Sequence, residues 1–150
     1  MKTQHTFTTK GLRRMVFNGS LIVLLTAAAL LQVGCSDKET PQNKSKLATE
    51  VAQQSYEALY EGKCEDYLKA RANYDTMPES YRKALLTTYR QHVAEVKRNH
   101  NGVTKVEATR TVNDTVMGVM QVYMNLTYGD KTQEEIMVPL VKVNDEWKLK

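Results

Sequence analysis

The sequence predicts an α+β fold, N-terminal helices packed on a curved four-stranded antiparallel sheet, and three observations predict it. Apolar residues recur at helical spacing between Leu47 and Leu59 and again between Tyr81 and Val96. After Gly102 the period changes to alternation, clearest at Met120, Val122, Met124, Leu126 and Tyr128. Short turn pairs, Asn113 with Asp114, Gly129 with Asp130 and Asn144 with Asp145, cut the alternating region into four strands of a meander. Helices followed by an antiparallel sheet make an α+β unit.

The chain ahead of that domain reads as an export leader. Lys2, Lys10, Arg13 and Arg14 precede an apolar run from Leu21 to Leu31. The run is shorter than the ~20 residues a bilayer-spanning helix needs. Extension back to Met15, which takes in Asn18, Gly19 and Ser20, leaves a transmembrane anchor as the alternative. Arg13 and Arg14 lack the other residues of a twin-arginine signal and count as ordinary positive charge.

"LLQVGC", Leu30 to Cys35, resembles the lipobox of bacterial lipoproteins through Val33, Gly34 and Cys35; Gln32 departs from the aliphatic residue usual in its slot. The resemblance implies cleavage before Cys35, a diacylglyceryl thioether on its thiol and attachment to a membrane through two or three acyl chains, since one chain holds only marginally. An ordinary cleavage site is the alternative. Three segments result: a signal peptide at 1–34, a lipidated N-terminus with a flexible tether at 35–44, and one α+β domain at 45–150. Ser36 stands where some lipoproteins carry the aspartate that retains them in the inner membrane. By the same resemblance the expected address is the cell envelope, at the outer membrane.

The boundary changes the charge argument. Of 21 lysines and arginines, four precede Cys35, so the remaining 17 equal the 17 acidic residues. The basic pI of about 9.0 belongs to the leader, and nothing in the mature chain argues for nucleic acid. With Cys35 acylated, Cys64 has no partner for an intrachain disulfide and is expected to be buried as a small apolar residue.

The elements follow in order. "SKLATEVAQQSYEALYEGK" puts Leu47, Ala48, Val51, Ala52, Ala58 and Leu59 on one helix face, with Ser55 in its middle to let another backbone approach and Gly62 as a left-handed cap. A short helix follows over Glu65 to Arg71. "MPESYRKALLTTYRQHVAEVKRNHNG" is a longer helix with Pro78 in its first turn and Asn101 with Gly102 at its end. Its apolar face, Tyr81, Leu85, Tyr89, Val93 and Val96, includes His92, which is therefore expected on the buried side.

The strands span Val103 to Val112, Thr115 to Tyr128, Thr132 to Val143, and a last strand holding Trp147 and Leu149. In the third, either Ile136, Val138 and Leu140 or Met137, Val141 and Val143 face inward, since one residue of slip exchanges the faces. Pro139 lacks a donor and belongs at an edge or a bulge.

"SYEALYEGKCEDY" and "VPLVKVNDEWKLK" resemble the lipoprotein domain of unknown function in the nuclear-transport-factor-like, or cystatin-like, superfamily, over nearly all of residues 45–150. The resemblance implies a cone in which the long helix lies across a bent sheet and leaves a pocket at one end, with no catalytic residues assigned.

Candidate pocket residues are His92, by its helix face, Arg110, which shares the alternation of Ala108 and Val112, and Tyr60 and Tyr89. A histidine near neutral pKa moves protons and an arginine holds a carboxylate. Neither has a carboxylate partner that the sequence supplies. The tyrosines Tyr56, Tyr60, Tyr67, Tyr89 and Tyr123 read mainly as core filler with polar tips.

Asn43, Asn113 and Asn125 open N-x-[ST] triplets, whose glycosylation the resemblance to bacterial lipoproteins argues against; Asp75-Thr76-Met77 and Asp114-Thr115-Val116 resemble a short O-glycosylation signal of a kind that arises easily by chance. No glycine-rich phosphate loop, metal-spaced histidine pair or serine elbow occurs, so no cofactor is implied.

The expected function is a lipid-anchored, non-catalytic envelope domain that binds a small amphiphilic ligand or an envelope protein through the cone mouth or the outer sheet face. Met117, Val119 and Tyr123 on that face admit a homodimer. A small pocket enzyme of isomerase or dehydratase type using His92, and a passive assembly module, are the competing readings.

Overall fold

A computed structural model describes residues 40–150; the leader, Cys35 and the first part of the expected tether lie outside the described residues. The elements are α1 (Pro41–Tyr60), α2 (Cys64–Lys69), a 3-10 turn (Tyr74–Thr76), α3 (Glu79–His100), β1 (Val103–Asp114), β2 (Val119–Tyr128), β3 (Gln133–Val143) and β4 (Glu146–Leu149). The strands form one antiparallel sheet in the order β1-β2-β3-β4.

The first helix starts earlier than expected. The Thr40 hydroxyl accepts the Asn43 N–H at 3.3 Å. Pro41 opens the helix, where a missing N–H costs nothing. Pro41 to Lys44, read above as tether, are therefore helix. At the other end Gly62, at φ +86°, closes a Schellman turn, with Gly62 N–H on the Leu59 carbonyl and Lys63 N–H on that of Ala58.

α1 lies on the sheet and runs antiparallel to β1. Its first turn, Pro41, Lys44 and Ser45, faces Thr111 and Asn113; Thr49 and Thr111 share a hydroxyl–hydroxyl hydrogen bond of 2.9 Å; Gln53, Glu57 and Tyr60 stand beside Val103 to Val106. The buried stripe is Ala48, Ala52, Ser55 and Leu59. Three of those four are small, so the helix axis approaches the strands closely. The Ser55 hydroxyl donates to the Val51 carbonyl of its own helix at 2.7 Å, which satisfies it on the buried face.

The longer helix does not cover the sheet, which corrects the expectation drawn from the resemblance. Of α3 only Val96 is fully buried. Bulky side chains set it against α1 and α2 instead, through edge-to-face contacts of Tyr67 with Tyr89 at 5.0 Å and with Tyr56 at 5.4 Å. The close-packing position is held by α1 because its face is alanine and serine.

The even positions of β2 fill the core as alternation requires: Met120, Val122, Met124, Leu126 and Tyr128 are buried. Ile136, Val138 and Leu140 take the inner face of β3, opposite Met124, Val122 and Met120, while Met137 is 47% exposed. Gly129 and the residues to Thr132 form a turn that keeps this register. Among the described residues the core lies between Ala48 and Leu149, and it includes Cys64 at 2% exposed.

Two expectations about the first hairpin are corrected. β1 continues to Asp114, and the turn is Thr115 to Gly118, so Val116 and Met117 lie in the turn and not in a strand. Val119, expected on the outer face with Met117 and Tyr123, is 3% exposed.

Pro139 sits in β3, opposite Gln121. Its carbonyl accepts Lys150 N–H at 3.0 Å, so its ring nitrogen faces the side where β4 ends, and no ladder bond is lost inside the sheet. The β4 edge is itself capped by Ala70 and Ala72, whose backbone bonds to Leu149 are both 2.8 Å.

Candidate functional site

Two irregularities in β1 decide where its polar side chains point. The register with β2 shifts between Val103 and Lys105 and again between Ala108 and Arg110. The extra residues are Thr104 and Thr109, and each donates its hydroxyl to a β2 carbonyl, Thr127 at 3.0 Å and Tyr123 at 3.2 Å. Past the second bulge the faces exchange. Thr111 turns inward onto α1, and Arg110 and Val112 turn outward.

Arg110 is therefore not a pocket residue. It stands exposed on the outer face, its guanidinium 3.2 Å from the centroid of the Tyr123 ring and 3.8 Å from Glu135. The cross-strand row Arg110, Tyr123 and Met137 is flanked by Val112, 42% exposed, and by the half-buried Pro139 and Val141.

His92 is likewise not on the buried side. It is exposed on α3, with Nε2 3.4 Å from the Tyr60 hydroxyl and its ring 5.9 Å from the Tyr60 ring. His92 lies in the fourth turn of α3, a helix whose one buried residue is Val96.

Tyr60 does border a concavity, an open groove of about 440 Å³ between α1 and β1 lined by Gln53, Glu57, Glu61 and Val103 to Val106. Burial, then the nearby Tyr128 and Glu134, raise its phenol well above the usual tyrosine range. Tyr89 packs on Tyr67, and burial raises its phenol too. The structure thus brings Tyr60 and His92 together, links Tyr89 to Tyr60 through the rings of Tyr67 and Tyr56, and leaves Arg110 on the outer face; Cys35 lies outside the described residues.

Sequence reasoning missed the polar cluster at the same end. The Tyr128 hydroxyl donates to Glu134 at 2.6 Å, and burial, with that bond, pushes it up to about 12. The His100 ring stacks on Tyr128 at 4.8 Å and its Nδ1 lies 2.8 Å from Asp130. Asp130 accepts the Thr132 hydroxyl and N–H as well, and these bonds hold its carboxyl down at about 2. Asp130 N–H on the His100 carbonyl, 3.0 Å, and Gly129 N–H on that of Gly102, 2.8 Å, complete a clasp between α3 and the β2–β3 turn. The signal available was the pairing of "NHNG" with "YGDKT", a helix end and a hairpin turn whose contact only the fold reveals.

Chemically the cluster is structural: its carboxylates are occupied by hydroxyl, amide and imidazole donors. Among the described residues no three His, Cys, Asp or Glu side chains gather as a metal-binding group, and no helix is long and apolar enough to cross a membrane.

No family model matches the sequence, and no curated protein matches it. Among solved structures the chain is similar to a Campylobacter jejuni protein provisionally described as an NTF2-like transpeptidase, with a TM-score of 0.53 at 15% identity, over 67% of this chain and 94% of that one. The fold is the NTF2-like one, helices followed by a four-stranded antiparallel sheet.

Proposed function

We propose that the chain is a lipoprotein of the bacterial cell envelope, anchored through Cys35, whose NTF2-like domain is a non-catalytic docking module that meets a second copy of itself through the outer face of the sheet. One observation carries this: the inner face is filled by core side chains, whereas the outer face presents Val112, Tyr123 and Met137 in a contiguous half-exposed patch, with Pro139 and Val141 beside them.

Arg110 stacked on Tyr123 adds the residue types that dominate interface energetics. Arg110 and Glu135 bring both charge signs to one patch, and a two-fold axis passing between them sets each against the opposite charge of the second copy. The transpeptidase description of the structural neighbour concerns that protein. Here the thiol of the described domain, Cys64, lies in the core at 2% exposed, and His92 has the Tyr60 hydroxyl as its neighbour at 3.4 Å.

Light scattering on residues 36–150 tests the docking face. The expected result is a dimer for the wild type and a monomer for Met137→Asp, which sets a charge at the patch centre while remaining solvated in the monomer. A wild type that stays strictly monomeric at high concentration contradicts it.

A further inference from the structure

The β1–β2 turn carries adjacent apolar side chains that the domain leaves uncovered: Val116 is 95% exposed and Met117 62%. Scattered exposed apolar residues are ordinary; a pair at the very tip of a hairpin is held out deliberately by its turn. One carboxylate oxygen of Asp114 accepts Val116 N–H at 3.1 Å and Met117 N–H at 2.9 Å, and the other accepts the Gln121 amide at 3.1 Å. Gly118, at φ +63°, supplies the left-handed residue that closes the turn. The N–H groups of Val116 and Met117 and the Asp114 carboxylate are thus engaged within the hairpin, and the two apolar side chains project.

The tip lies at the end of the domain where the chain enters it. Pro41, Lys44 and Ser45 line one cavity with Thr111, Asn113 and Met120, and Asn113 opposite Met120 is the ladder pair next to the last before the turn. Five peptide units separate Cys35 from Thr40, and even fully extended they reach no more than about 18 Å. A lipid on Cys35 therefore keeps this end of the domain at the membrane surface.

We propose that Val116 and Met117 form a membrane-contacting tip that enters the acyl–headgroup boundary beside the anchor, holding the domain upright with the Tyr60 groove and the β2–β3 turn pointing away from the lipid. This rests on the anchoring of Cys35 proposed above. The tip need not bind alone, because the anchor makes its insertion intramolecular and a weak contact is then occupied most of the time.

The test supplies the anchor chemically, so that it does not depend on processing in a cell. The chain from residue 35, which retains every core residue among the described ones, is coupled through the Cys35 thiol to maleimide lipid in phosphatidylcholine vesicles with brominated acyl chains; Cys64 is shielded by burial. Met117→Trp reports on the tip, and Gln133→Trp reports on the opposite end of β2, about 30 Å away. The spectrum of the native Trp147, the single tryptophan of the chain, is subtracted.

The expected result is a blue shift and loss of about half or more of the Met117→Trp emission, as for a side chain at the acyl boundary, with Gln133→Trp unchanged. Equal quenching of both, or of neither, overturns the proposal. So does a blue shift without bromine quenching, which marks a tip covered by a second copy. Fatty-acid labelling of Cys35 in cells is read separately: its failure removes the natural anchor, and the vesicle result still decides the tip.

Discussion

Gly129 has no room for a side chain. A Cβ there would lie 2.6 Å from the Asn101 carbonyl oxygen and 2.7 Å from its Cβ, and Asn101 is fixed in the left-handed conformation that ends α3. Backbone, not a flexible side-chain tip, would have to move. Gly129→Ala is expected to lower stability by about 1–3 kcal/mol, in the range of overpacking changes, read as the shift of a urea midpoint. Next to it, Asp130 is held at about 2 against an ordinary 3.8 by Thr132 and then His100. A depressed carboxylate stabilises the fold at pH values above the ordinary pKa, and that contribution fades as pH falls from about 4 toward 2. Urea midpoints of wild type and Asp130→Ala should therefore differ at neutral pH and converge toward pH 2; a constant gap down to pH 2 would refute the ionic origin. Of the residues singled out in the sequence, Arg110 and His92 were misplaced for physical reasons. Strict alternation cannot register the extra residue at Thr109, and helical periodicity identifies the more apolar face of α3 without saying how deeply that face is buried.

At the scale of elements, α1 is defined by its small residues. Ala48 and Ala52 are fully buried against the strands, so Ala52→Leu pushes the helix off the sheet at a cost of about 1–3 kcal/mol, measurable by thermal or urea unfolding. α3 is held differently, through Tyr67 in the middle of an edge-to-face stack. Tyr67→Ala should raise hydrogen exchange throughout α3 while leaving β2 protected; loss of protection in both elements together would mean that α3 is integral to the sheet core. Much of this level was legible in the sequence. The even-numbered stripe of β2, the glycine cap at Gly62 and the Asn101–Gly102 stop sit where local chemistry places them. The start of α1 was less so, because Thr40-Pro41 is both a loop signal and a helix start, and the cap geometry decides between them. The inner face of β3 followed only from the length of the turn after Tyr128.

For the whole molecule, α1 antiparallel to β1 creates two unlike ends. One holds Pro41 and the Val116–Met117 turn; the other holds the Tyr60 groove and the His100–Asp130 clasp. The sheet lies between them, with the proposed docking face outward. The helices-then-sheet architecture was legible from the change of hydrophobic period at Gly102, whereas the identity of the helix covering the sheet was not, since it depends on side-chain size at a contact that only the tertiary structure defines. The orientation proposed for the domain starts from one proposed attachment point, Cys35. Metabolic labelling with a clickable fatty acid tests it directly, comparing wild type with Cys35→Ser in bacterial cells. Label on the wild type and none on the variant is the expected result, and equal labelling of both would contradict the anchored reading.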